Sequence, residues 1–157
     1  MTTSLPLDGL DDLPGHHIRR LQQIAVGIFM DETAELNVTP VQFALLFAAS
    51  KEAGLDQRTL AGRIGLDTST IGAVVDRLES RGLIERNVSP DDKRVRLLSV
   101  TSAGKKLLHG LMPAMLRAQD RILEPLPAGD RAKFMSMVKR IVEQNNGWSR
   151  AAKDAGR

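Results

Sequence analysis
The chain has 157 residues, no cysteine, 3% aromatic residues and a net charge of +3. Its length suits one domain, or two small modules on a shared core, and can bury a substantial apolar interior. The missing cysteines exclude disulfides, thiolate metal sites and cysteine nucleophiles, and a core so poor in rings must be built from Leu, Ile, Val, Ala and Met, a mix that favours helices.

Charge is spread unevenly. Residues 1–56 carry 3 basic and 8 acidic groups, a net of −5. Residues 57–106 carry 10 and 6, and residues 107–157 carry 9 and 5, a net of +4 in each. A positive middle suits phosphate binding, although on charge alone the plainer reading is an unevenly charged solvated surface. No apolar run reaches the length of a membrane span. The opening MTTSLPLDGLDDLPG lacks the basic start and apolar stretch of a secretory signal. The expectation is a cytoplasmic protein with no membrane partner.

Residues 1–10 read as a loose arm. A first helix starts near residues 11–15 and runs to about 36, with Ile18, Leu21, Ala25 and Ile28 at helical spacing, flanked by Ile24 and Phe29. Thr39 caps a second helix that Pro40 opens; it carries Phe43, Leu46, Phe47 and Ala49, and Gly54 ends it. A short helix over 57–64 turns Leu60, Ala61 and Ile64 inward, and Gly65 allows a sharp turn. Asp67 or Thr68 caps the next helix, which runs to about 81 and buries Ile71, Val74, Val75 and Leu78. Gly82 is its left-handed stop. Strands over 83–86 and 95–100 flank NVSPDDKR, a turn rich in Pro, Asp and Lys. Thr101 caps a long helix to about 123 with Pro113 inside it. EPLPAGD is a break, a last helix over 131–145 carries Phe134, Met137, Val138, Ile141 and Val142, and a tail follows from Gly147.

Two packed helices followed by a basic hairpin form the shape of a DNA reader. Here the hairpin carries Asp92-x-Arg94, then Val95-Arg96-Leu97-Leu98, then Thr101-x-x-Gly104, and LESRGLIER precedes it. This combination resembles the MarR family of winged helix-turn-helix repressors, and the helix order fits from about residue 15 to 146. The resemblance implies a mainly α fold with a small β-hairpin wing. It divides the chain into a flexible arm (1–10), a helical dimerisation region (11–36 and 105–146), a winged helix-turn-helix DNA-binding region (37–104) and a flexible tail (147–157).

The N-terminus of the 68–81 helix would enter the major groove and offer Thr68, Ser69 and Thr70 to base edges. The same three residues also suit plain capping. Gly72 and Ala73 follow on the expected exposed side, where many relatives carry a larger polar residue. Arg77 is either a DNA contact or an ion-pair partner of Asp76 or Glu79. In the family, the residue matching Asp92 holds the one matching Arg94 by an ion pair, and that arginine reaches the adjacent minor groove. Lys93 and Arg96 would touch phosphates.

The resemblance further implies a homodimer built on the first and last helices, with Leu107, Leu108, Leu111 and Met115 continuing the seam. Two-fold symmetry then calls for a pseudo-palindromic double-stranded operator. PGHHIRRLQQIAVGIF is similar to branches that control aromatic or pyridine carboxylate degradation genes. That similarity implies a small aromatic carboxylate effector near His16, His17, Arg19 and Arg20, since Arg grips carboxylates bidentately. Of these, His17 shares the face of Leu21 and is the inward candidate, while Arg19 faces solvent. Release would follow from a change in spacing between the two recognition helices. An enzyme is not expected: His16, His17 and His109 form no triad pattern, no phosphate loop is present, and no metal or other cofactor is called for. An architectural or ligand-independent winged-helix protein is the alternative.

Overall fold
The computed structural model describes residues 9–149. Its elements are α1 (Pro14–Glu32), α2 (Pro40–Lys51), β1 (Leu55–Asp56), α3 (Gln57–Ile64), α4 (Thr68–Ser80), β2 (Ile84–Val88), β3 (Arg96–Val100), α5 (Ser102–Leu123) and α6 (Ala128–Asn145). Short 3-10 turns lie at Leu10–Asp12, Ala34–Leu36 and Asn146–Trp148. The arm at 1–8 and the tail at 150–157 lie outside the described residues.

Local chemistry sets most of these boundaries. Thr39 opens α2 with a reciprocal capping box: the Gln42 N–H donates to Thr39 Oγ1 at 3.2 Å, and the Thr39 N–H donates to Gln42 Oε1 at 3.2 Å. Gly65 (φ 69°) and Gly82 (φ 67°) take the left-handed conformation that ends α3 and turns the chain after α4. The first helix stops at Glu32, four residues short of the expected end. Buried Thr33 turns its hydroxyl back onto the Phe29 carbonyl at 2.8 Å, and Asn37 (φ 48°) then reverses the chain. At the other end α6 begins at Ala128, earlier than expected, because Pro127 suits a helix entry and accepts the Asp130 N–H at 2.9 Å.

The wing is a three-stranded antiparallel sheet in the order β1-β3-β2, one strand more than the expected hairpin. Ile84 pairs with Val100 and Val88 with Arg96, while Leu55 and Asp56 pair with Leu98 and Leu97. The core of the reader joins Leu45, Leu46 and Ala49 of α2, Leu60 and Ala61 of α3, Ile71, Val75 and Leu78 of α4, and Leu98 and Val100 of β3. On α2 Leu45, Leu46 and Ala49 are fully buried; Phe47 instead stacks on Phe43 at the rim, with the Lys51 ammonium 5.1 Å above its ring.

Thr101 and Gly104 fasten the wing to α5. Thr101 Oγ1 donates to the Gly82 carbonyl at 2.6 Å and accepts the Gly104 N–H at 3.1 Å. A Cβ on Gly104 would lie 2.1 Å from the Leu83 oxygen, so only glycine lets α5 start this close to the sheet. Leu108 packs in the reader's core, and Leu111 packs with Phe29 and Val38. These two leucines therefore serve the chain's own interior and do not extend an outward seam.

The outer faces are different. Ile18, Leu21 and Ile24 of α1 are exposed, and α6 buries none of its residues. On α6, Met137, Ile141 and Val142 are each more than half exposed. No described helix is long and apolar enough to cross a membrane.

Candidate nucleic-acid interface
The start of α4 is capped by Asp67, whose Oδ1 accepts the Thr70 N–H at 2.7 Å and the Ser69 hydroxyl at 2.6 Å. Of the two expected caps, Asp67 therefore does the work. Thr68, Ser69 and Thr70 in the first turn of the helix are exposed, as is Ala73. Gly72 is half-buried: a Cβ there would lie 3.6 Å from Gln57 Nε2, so the position faces α3 and not open solvent.

Arg77 is exposed, and neither Asp76 nor Glu79 is its partner. Both carboxylates go to Arg86 of β2, which donates to Asp76 and, at 2.6 Å, to Glu79. Arg86 is the positioning residue that sequence reading missed. Its two partners, at i and i+3 on α4, share a helix face that the strand β2 runs past. The signal was the second Arg of LESRGLIER, but only the fold shows which carboxylates it meets.

The wing turn is built on side-chain oxygens. Buried Ser89 accepts the N–H groups of Asp91 (3.3 Å) and Asp92 (3.4 Å). Asp92 Oδ1 accepts the Arg94 backbone N–H at 2.9 Å. This corrects the expected ion pair: at a separation of two residues the aspartate closes an Asx turn more readily than it reaches the guanidinium. Among the described residues the Arg94 side chain has no carboxylate partner within ion-pair distance. Arg96 donates to the Lys93 carbonyl at 2.8 Å, so it buttresses the turn, while Lys93 and Arg94 stand exposed at the tip.

A groove of about 400 Å³ joins the wing to the start of α3, lined by Asp56, Gln57, Arg58, Arg94, Val95 and Arg96. Partial burial works against the Asp56 charge. Hydrogen bonds from the Thr59 hydroxyl (2.6 Å) and N–H (2.9 Å) outweigh it and hold the carboxyl below its ordinary value. The N-cap of α3 is thus ionised near neutral pH.

The effector candidates cluster less than expected. His17 is exposed, and its Nε2 lies 2.6 Å from the Asp11 carbonyl oxygen, whereas His16 is the half-buried one. The 3-10 turn at Leu10–Asp12 folds back over the helix start and supplies that carbonyl, which turns His17 outward. Arg19 donates to Gln23 at 3.3 Å, and Arg20 is exposed. A groove of about 560 Å³ lies at the other end of α1, lined by residues 31–36, Gly110, Pro113, Ala114 and Arg117. Beside it Arg117 and Arg121 clamp Glu32 at 2.8 Å each, and Arg121 also meets Asp31 at 2.6 Å. The described residues contain no group of His, Cys, Asp and Glu that would hold a metal ion.

Comparison with known proteins places this geometry. The model of the MarR family matches residues 38–95. A putative transcriptional regulatory protein for the hcr operon of Thauera aromatica is 32% identical over 133 residues, covering 84% of this chain and 80% of that protein. The PcaV transcriptional regulator from Streptomyces coelicolor, solved in complex with its natural ligand, superposes with a TM-score of 0.78 at 37% identity, over 86% of this chain and 95% of that one. The transcriptional repressor CouR, solved bound to a 23-mer DNA duplex, superposes with a TM-score of 0.81 at 30% identity, over 89% of this chain and 99% of that one.

Proposed function
Because this chain belongs to the MarR family of transcriptional regulators, we propose that it is a homodimeric repressor. In this reading it binds a pseudo-palindromic operator and leaves it when a small aromatic or pyridine carboxylate binds. The observation that carries the reading is the exposed first turn of α4, with Thr68, Ser69 and Thr70, and the exposed Ala73 and Arg77 beyond it, beside a wing whose Arg94 has no carboxylate partner among the described residues.

Each residue has a role that follows from its chemistry. Thr68, Ser69 and Thr70 meet base edges in the major groove, and Ala73 allows close approach and contact with a thymine methyl. Gly72 keeps α3 and α4 close and does not itself face the bases. Arg77 reaches a phosphate or base from the same side of α4. Arg94 enters the minor groove, Lys93 binds phosphate, Arg96 stiffens the turn, and Asp92 shapes the backbone that presents Arg94. The uncovered apolar faces of α1 and α6 are the surfaces that a second copy would cover. Names of relatives support a ligand-controlled repressor: one solved neighbour is called a repressor and holds DNA, and another holds its natural ligand. For the carboxylate, His16, His17, Arg19 and Arg20 are the proposed donors, at an end of α1 that a second copy would approach.

The test is titration of the protein onto its own upstream intergenic DNA against a scrambled competitor, with benzoates, hydroxycinnamates and nicotinates added in turn. Selective binding reversed by one acid is expected. Selective binding that no acid reverses would remove the carboxylate effector. Affinity that varies little with sequence yet falls steeply with salt would replace the repressor by an architectural DNA binder.

A further inference from the structure
The hydrogen bonds around α4 divide into two kinds. Arg86 ties α4 to the wing, inside the reader. Arg81 does something else. It follows the last turn of α4, its N–H bonded back to the Arg77 carbonyl. Its guanidinium crosses 44 residues of sequence to donate to the Asn37 carbonyl at 2.8 Å and to the Leu36 carbonyl at 3.3 Å.

Those two carbonyls sit on a stiff mount. Asn37 is in the left-handed conformation, and both the Leu36 oxygen before it and its own accept from the guanidinium. Thr33, on one side, is buried and bonded to Phe29 of α1 at 2.8 Å. Val38, on the other, is buried against Phe29 and Leu111 of α5. The loop therefore moves with α1 and α5. A planar guanidinium donating to two successive carbonyls fixes orientation as well as distance, which an ammonium does not. Its positive charge also suits the C-terminal end of α4.

We propose that Arg81 is a positioning residue that latches the end of the recognition helix to the α1–α2 loop, so that the pose of α4 follows the pose of α1. In a dimer joined through α1, the latch would set the distance between the two recognition helices. This rests on the reading of the chain as a dimeric DNA reader. On B-DNA one added base pair displaces a half-site by about 3.4 Å and rotates it by about 35°. A latched pair of helices discriminates against such a change, and an unlatched pair tolerates it.

Two measurements separate the latch from its rivals. The first needs no DNA. The chain has no cysteine, so spin labels at Gln22→Cys on α1 and Ala73→Cys on α4, diluted with unlabelled protein, report the distance within one chain. The width of that distribution is expected to grow at least twofold in both Arg81→Ala and Arg81→Lys, with circular dichroism unchanged. An unchanged width in Arg81→Ala overturns the latch. So does restoration of the parent width by Arg81→Lys, since charge alone would then suffice.

The second compares, in the unlabelled protein, affinity for the selected operator with affinity for the same operator carrying one extra central base pair. The parent should discriminate at least 30-fold and Arg81→Ala less than fivefold, with the salt dependence unchanged. Equal weakening on both duplexes, with a salt slope shallower by about one, would make Arg81 a phosphate contact and overturn the proposal. A broadened distance with no sequence-selective binding in the parent would uphold the latch and sink the repressor reading instead.

Discussion

In the reader, Leu45, Leu46, Leu60, Ile71, Leu78 and Leu98 are sealed from solvent by one chain, whereas on α6 Met137, Ile141 and Val142 stand more than half exposed and nothing is buried. Both regions are built from unringed apolar residues, and on α4 and α6 alike these recur at helical spacing. What differs is the number of neighbours. The reader surrounds its core with three helices and a sheet, and α5 closes its base. Among the described residues, nothing buries the outer faces of α1 and α6. A half-buried helical stripe read from sequence therefore reports that a face will be covered, without saying by what.

The largest effect should come from opening the closed region. Leu98→Ala removes a fully buried side chain between β3 and α2 and should cost about 2–5 kcal/mol in urea denaturation at fixed protein concentration. A loss below about 1 kcal/mol would mean that the reader is not the dry core described.

The complementary experiment leaves the reader alone. Ile141→Glu places a charge on the uncovered face of α6 and should give monomer by sedimentation at micromolar concentration, with far-ultraviolet circular dichroism retained. Persistence of the dimer would show that the second copy covers some other face.

A smaller effect tests the wing. Arg94→Ala should leave the melting temperature unchanged and weaken operator binding at least tenfold, about 1.4 kcal/mol, in a gel-shift titration at fixed salt. Unchanged affinity would remove Arg94 from the interface.

The smallest effect concerns the clamp between α1 and α5. Hydrogen bonds from Arg121, and then from Arg117, hold the Glu32 carboxyl below its ordinary value of 4.5. A group whose pKa is lowered by folding stabilises the fold above its unfolded value, and that contribution is lost as pH falls through the folded one. Stability should thus decline as pH drops below 4.5, and Glu32→Gln should flatten that part of the profile. Solvent around the two exposed arginines keeps the change small. A parallel profile in the variant would show that other carboxylates carry the acid sensitivity.

Much of the fold was legible because its signals are local. The helix at 57–64 could be read to the residue, since Gly65 ends it with a backbone few other residues adopt. Thr39-Pro40 and Thr101-x-x-Gly104 announce their helices in the same way. What could not be read depends on partners far away in sequence. A two-residue strand at Leu55–Asp56 has no pattern of its own and exists because β3 offers an edge. Arg86 and Arg81 are ordinary basic residues until the fold supplies Asp76 and Glu79 to one and the carbonyls of Leu36 and Asn37 to the other. His17 shares a helical face with Leu21, but the 3-10 turn that engages it precedes the helix and breaks its periodicity. The residues of α4 and the wing were named from sequence, yet the ion pair expected at Asp92 became a backbone turn, because two residues of separation favour the nearer donor.

In the proposed arrangement two copies of a self-contained reader act together on one face of DNA. Hydroxyl-radical footprinting of the bound upstream duplex tests it most directly. Two protected segments are expected about one helical turn apart, related by approximate two-fold symmetry, each flanked by minor-groove protection that disappears in Arg94→Ala. A single protected segment, or even protection along the whole duplex, would contradict it.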